Sequence, residues 1–158
     1  MSGQPRKIGL NQKHQGFERW LAAEVGGDGS ASLLSTYLER KTLAGGERLY
    51  GQGEPSDSID LVASGSIAVT VEDEKGRPLR VRRMAGQTVV GEMGFFRKTA
   101  RTASVTAEAP SVVYSLDRAR YERLLADKPT LGAAFHQFII RALADRVEFA
   151  NQEIAALI

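Results

Sequence analysis

The chain has 158 residues, 42% of them hydrophobic, with a formal net charge of +2 and no cysteine. This is the length of one domain with ample material for a core. The lack of thiols excludes a disulfide scaffold, a thiolate metal site and a cysteine nucleophile. A near-neutral balance, with acidic and basic residues interspersed, speaks against nucleic acid or a membrane surface as partner.

Residues 1–15 are polar and are expected to form a flexible lead without a secretion signal. No apolar run is long enough to cross a bilayer, so a cytoplasmic location is expected, free or as part of a larger protein at the membrane face. Phe17, Trp20, Leu21 and Val25 recur at helical spacing, which predicts a short amphipathic helix over residues 16–25. Residues 26–30 are glycine-rich and predict a turn. Leu33, Leu34, Tyr37 and Leu38 then predict a second helix, capped by Ser30 or Ser32. Together residues 16–38 form an N-terminal helical segment.

Between residues 39 and 116 the pattern changes to short strands separated by glycine-rich turns. The expected strands are 41–43, 48–50, 59–63, 66–71, 79–84, 88–90, 103–107 and 112–116. Such punctuation predicts an α+β protein built on an eight-stranded antiparallel jelly-roll barrel. From residue 117 to 158 the pattern is helical again. Asp117 is placed to cap one helix and Pro129 to open a second. The second carries Leu131, Phe135, Phe138, Ile139, Leu143, Val147 and Ile154 on a broad apolar face. It is too long for a cap alone, so it is expected to lie on the barrel, on another copy, or on a partner.

One stretch carries most of the chemistry. Residues 91–103 place Glu92 at the start of a small-residue turn, between Gly91 and Gly94, and Arg101 just ahead of a strand. A ligand bearing both an anion and a hydroxyl suits that pair. A guanidinium fork binds phosphate oxygens, free N–H groups at a helix start favour the same anion, and a carboxylate accepts from a hydroxyl. The glycines allow close backbone approach. The plain alternative for Glu92 and Arg101 is a surface salt bridge of little worth.

This stretch resembles the phosphate-binding cassette of cyclic nucleotide-binding domains, as found in kinase regulatory subunits, nucleotide-gated channels and cAMP-receptor regulators. The motif runs from Gly91-Glu92 through the basic loop to Arg101-Thr102-Ala103-Ser104-Val105. Tyr50-Gly51-Gln52-Gly53-Glu54 and the hairpin from Ile59 to Ile67 extend the likeness over roughly residues 39–144. The resemblance implies that Glu92 contacts the ribose, Arg101 the cyclic phosphate, and the main chain of Gly91, Glu92, Met93 and Gly94 completes the cradle. It further implies Thr102 at the phosphate or base, a backbone N–H from Ala103, and a purine held between Val81, Val90 and Ile139 or Ile140. Ala100 stands where the family commonly has proline.

The implied function is a regulatory sensor, not an enzyme, with cAMP favoured over cGMP and no cofactor or metal. Thr102 leaves the choice of base open, because its hydroxyl suits a guanine amino group. Cupin enzymes share the jelly roll, but they need converging histidines, and His14 and His136 both lie outside the strands. A domain that keeps the fold without binding nucleotide, serving as an interaction or oligomerisation module, is the rival. No recognition helix follows the long helix before Ile158, so DNA binding is not expected. The flanks also resemble the tail module of bacterial sulfate-permease-like transporters. A tethered transporter or other effector is therefore an expected partner, as is a second copy through the C-terminal helix.

Overall fold

The computed structural model describes residues 10–158, with the side chains of residues 10–15, 80 and 81 outside that description. Helices α1 (Leu10–Val25) and α2 (Asp28–Ser35) lead into strands β1 (Glu39–Leu43), β2 (Arg48–Tyr50), β3 (Ser58–Ser64), β4 (Ser66–Glu72), β5 (Pro78–Ala85) and β6 (Thr88–Val90). Helix α3 (Glu92–Arg97) interrupts the β region before β7 (Ser104–Ala107) and β8 (Ser111–Asp117). Helices α4 (Arg118–Asp127) and α5 (Pro129–Ala156) follow.

The strands form two four-stranded sheets, ordered β1-β8-β3-β6 and β2-β7-β4-β5, with antiparallel pairing throughout. This corrects the expected closed barrel, since among the described residues no strand pairing runs from one sheet into the other. Side-chain alternation makes the first sheet a central layer. Ile59, Leu61, Val89 and Leu116 join the core shared with the helices, through Phe17, Leu21, Phe95, Leu124 and Phe135. Their neighbours Val62, Val90 and Val113 point the other way and meet Ile67, Val105 and Ala107 of the second sheet. A strand buried on both faces reads as an almost continuous apolar run, as β3 does.

Two expectations about the N-terminal helices shift. Residues 10–15 are helical, being the first turns of α1, and residues 1–9 lie outside the described part. The turn is confined to Gly26 and Gly27, whose φ angles of 95° and 129° suit glycine alone. Helix α2 therefore starts at Asp28, with no side-chain cap from a serine. Asp28 sits in its first turn, where a carboxylate is favoured by the helix dipole.

The C-terminal signals hold. Asp117 accepts a hydrogen bond from the Arg120 N–H at 2.8 Å, and proline opens α5. The first half of α5 buries Leu131, Phe135, Phe138 and Ile139 against α1, α4 and the sheet, while Val147, Ile154 and Leu157 beyond it are exposed. Trp20 is partly buried, edge-on to Phe138 at 5.4 Å, and Phe17 stacks on Tyr114 at 3.9 Å. His136 shares a 2.8 Å hydrogen bond with the Tyr121 hydroxyl, joining α4 to α5. Among the described residues, no helix is long and apolar enough to cross a membrane, and no group of His, Asp or Glu is arranged to hold a metal ion.

Candidate ligand-binding site

The cassette is a helical turn hung between β6 and β7. Gly91 adopts φ 84° and N-caps α3, a left-handed conformation that costs an L residue about 1–2 kcal/mol. A Cβ there would also lie 2.5 Å from Arg101 Nη1 and 3.1 Å from the Ser58 carbonyl. At Gly94 a Cβ would run into the Ser56 side chain. Both glycines are thus required by close approach. Below the turn, Phe95 is fully buried, with the Arg118 guanidinium 4.1 Å over its ring and donating to the Phe95 carbonyl at 2.8 Å.

The loop of residues 51–54 holds the other side of the site. The Gly53 N–H donates to the Arg101 carbonyl at 2.9 Å, and the Arg101 N–H donates to the Glu54 carbonyl at 2.8 Å. The Gln52 N–H donates to Ser104 Oγ at 2.9 Å. The two motifs of the sequence, around Tyr50–Glu54 and around Arg101, are therefore hydrogen-bonded to one another.

The Arg101 side chain is buried, not a surface cation. Its Nη1 donates to the Gly91 carbonyl at 2.9 Å and its Nη2 to Ser58 Oγ at 3.1 Å. The guanidinium lies 3.9 Å over the Tyr50 ring and 3.9 Å from Asp60 Oδ2. Asp60 points between the sheets, where it accepts from Ser58 Oγ at 2.8 Å and from Ser115 Oγ, its cross-strand neighbour. Burial pushes the Asp60 carboxyl above the usual carboxylate range, against the pull of both serine hydroxyls and Arg101. Burial likewise raises the Tyr50 phenol, which stays neutral under the guanidinium.

A raised folded-state pKa means that the folded protein holds the Asp60 proton more tightly than the unfolded chain does. The resulting stability is present below the unfolded pKa and is lost as pH rises through the folded one. Wild-type stability relative to Asp60→Asn is thus expected to increase between about pH 7 and about pH 4, as followed by urea unfolding. A difference that stays flat or runs the other way would show that Asp60 folds as a fully paired anion.

Glu92 is equally buried, at 4% exposure. Its Oε1 accepts from Arg146 of α5, whose Nη2 also donates to the Val89 carbonyl and, at 3.3 Å, lies within reach of Thr88 Oγ1. Glu92 Oε2 and Arg101 Nε are buried without a hydrogen-bond partner among the described residues. Buried polar atoms are nearly always satisfied, so an orphan acceptor and an orphan donor beside one cavity suit a ligand carrying both functions.

That cavity, of about 190 Å³, is lined by Gly91, Glu92, Met93, Gly94, Arg101, Thr102, Ala103 and Val90, all expected from sequence. It is also lined by Tyr50, Val69, Arg82, Met84, Val105 and Arg146, which were not. Ile139 does not line it, being buried in the helical core, and Ile140 is exposed. Periodicity places both on α5 but cannot say which layer they face. The side chain of Val81 lies outside the described residues. Arg82, Met84 and Arg146 also border a larger groove of about 840 Å³ beneath α5, with Trp20, Phe138 and Phe149 on its walls.

Comparison with known proteins agrees with this architecture. Residues 40–128 match the model of the cyclic nucleotide-binding domain, more than half of the chain. The chain belongs to that family, whose members are regulatory modules that bind cyclic nucleotides. Over 127 residues it is 26% identical to the CRP-like cAMP-activated global transcriptional regulator of Mycobacterium tuberculosis, covering 80% of this chain and 55% of that protein. Over 102 residues it is 31% identical to a cGMP-dependent protein kinase of Caenorhabditis briggsae, covering 63% of this chain and 14% of the kinase. The chain thus spans about half the length of the first relative and a small part of the second. Among solved structures, a cyclic nucleotide-binding domain from Methylobacillus flagellatus superposes with a TM-score of 0.80 at 20% identity, covering 90% of this chain and 86% of that one. The regulatory domain of Toxoplasma gondii PKA with cAMP gives 0.66 at 19% identity, covering 86% and 51%. These structural likenesses concern the fold.

Proposed function

We propose that this chain is a cyclic nucleotide sensor, with cAMP favoured over cGMP, whose occupancy biases the position of its C-terminal helices and of whatever effector they join. The observation that carries this reading is the pair of buried, oppositely charged side chains beside the glycine cradle, each with an unpartnered polar atom. Arg101 and the N–H groups at the start of α3 would hold the cyclic phosphate. Glu92 Oε2 would accept from the ribose hydroxyl. The small cavity suits phosphate and sugar, and the adjoining groove leaves room for the base under α5. The module would act in the cytoplasm without catalysis of its own, tethered to or docking on a transporter or another effector.

Calorimetry of the chain with cAMP and with cGMP tests the reading. Saturable heat is expected, larger in affinity for cAMP. Glu92→Gln should weaken binding roughly tenfold, the scale of a hydrogen bond to a charged acceptor. No heat and no thermal stabilisation with either nucleotide would leave the rival reading, an interaction module. The exposed Val147 and Ile154 on the far half of α5, with Leu157 just beyond it, favour that rival specifically.

A further inference from the structure

We infer that Arg146, on the long C-terminal helix, is a positioning residue for the ligand: it pairs with Glu92 and orients it so that its second oxygen can accept the ribose hydroxyl. The inference rests on the cyclic-nucleotide reading and adds to it the residue that makes Glu92 usable. A carboxylate as buried as Glu92 is costly to keep ionised without a partner. Among the described residues its partner is Arg146, on Oε1, while Oε2 stays unbonded. Two anions, Glu92 and a ligand phosphate, must also lie side by side in a cavity of about 190 Å³. The Arg101 guanidinium faces Gly91, Ser58 and Asp60 and is assigned to the phosphate, so Arg146, which contacts Glu92 directly, is the cation that offsets it.

The source of Arg146 gives this contact a second consequence. Its guanidinium spans two elements of the site, reaching Glu92 at the start of α3 and the Val89 carbonyl of β6. The packing of α5 against the core ends at Leu143, about one turn earlier. Moving the helix beyond Leu143 would therefore withdraw the guanidinium while leaving the core intact. Affinity for the hydroxyl and the position of α5 are then linked, and linkage is reciprocal. An effector that holds α5 away from Glu92 weakens the ligand, and the ligand resists such an effector.

The test compares cAMP with 2′-deoxy-cAMP by calorimetry on the wild-type chain, Arg146→Gln and Arg146→Lys, with thermal melting to check folding. Wild type should prefer cAMP by about tenfold or more, the worth of a hydrogen bond to a charged group. In Arg146→Gln that preference should shrink to about threefold or less, with the deoxy ligand losing less affinity than cAMP does. Arg146→Lys, which retains the charge, should fall between. If Arg146→Gln does not fold, Arg146→Met retains the apolar stem and carries the same comparison. An undiminished preference, an equal loss for both ligands, or a lysine variant no better than glutamine would overturn the inference. Wild type that binds neither nucleotide would instead overturn the sensor reading beneath it.

Discussion

Arg101→Ala is expected to cost the domain about 3 kcal/mol of stability as well as its ligand, because it removes one partner of a buried charge pair. The guanidinium holds Gly91 of the cassette, Ser58 of β3 and the face of Tyr50 together, and it faces an Asp60 that is 1% exposed. Its loss leaves Asp60 with only serine hydroxyls and opens a void above Tyr50. The lower end of the range for such losses applies, because the Asp60 contact is long at 3.9 Å and the two serines persist. Nucleotide binding should fall by a further ~1.5–3 kcal/mol from the lost charge-assisted hydrogen bonds. Arg101→Lys separates the two effects. It restores a positive charge to Asp60 but not the planar fork, so stability should recover more than affinity. Urea unfolding and calorimetry on both variants measure this. An unchanged unfolding midpoint for alanine would mean that the serine hydroxyls alone stabilise Asp60.

Phe95→Ala is expected to be more damaging still, at about 3–5 kcal/mol, the cost of deleting a fully buried aromatic ring. The ring is the underside of the cassette. It meets Tyr121 of α4 edge-on at 5.0 Å and carries the Arg118 guanidinium on its face at 4.1 Å. Removing it loosens α3 from α4, leaving the Arg118 hydrogen bond and the Phe96–Tyr121 edge contact, so ligand affinity should drop together with the unfolding midpoint. Phe95→Leu retains most of the volume and should cost less than half as much. If alanine and leucine variants were equally stable, the space under α3 would have to collapse without penalty, contrary to the packing described here.

How much of this was legible in advance depended on the range of each interaction. Asp117 could be read as a cap because its partner, the Arg120 N–H, is three residues away. The β2 and β6 spans could be read because glycine turns bracket them. Glu92 and Arg101 could be assigned to one site because one short loop joins them, although neither their depth nor their partners could: Glu92 pairs with Arg146 and Arg101 faces Asp60. Asp60 left a faint signal, a lone acid within the apolar run of β3. Arg146 left none. It is one more basic residue on a long helix, 54 positions from the carboxylate it serves.

By itself, the sequence determined the class of most segments beyond residue 15 and set Glu92 and Arg101 on one short loop, because turns, caps and alternation act over a few neighbours. The tertiary structure alone decided that the strands form two separate sheets, that Ile139 belongs to the core, and that Arg146 reaches Glu92. Those outcomes depend on which faces meet across dozens of residues, and burial strengthens charge pairing only once such faces have closed around it.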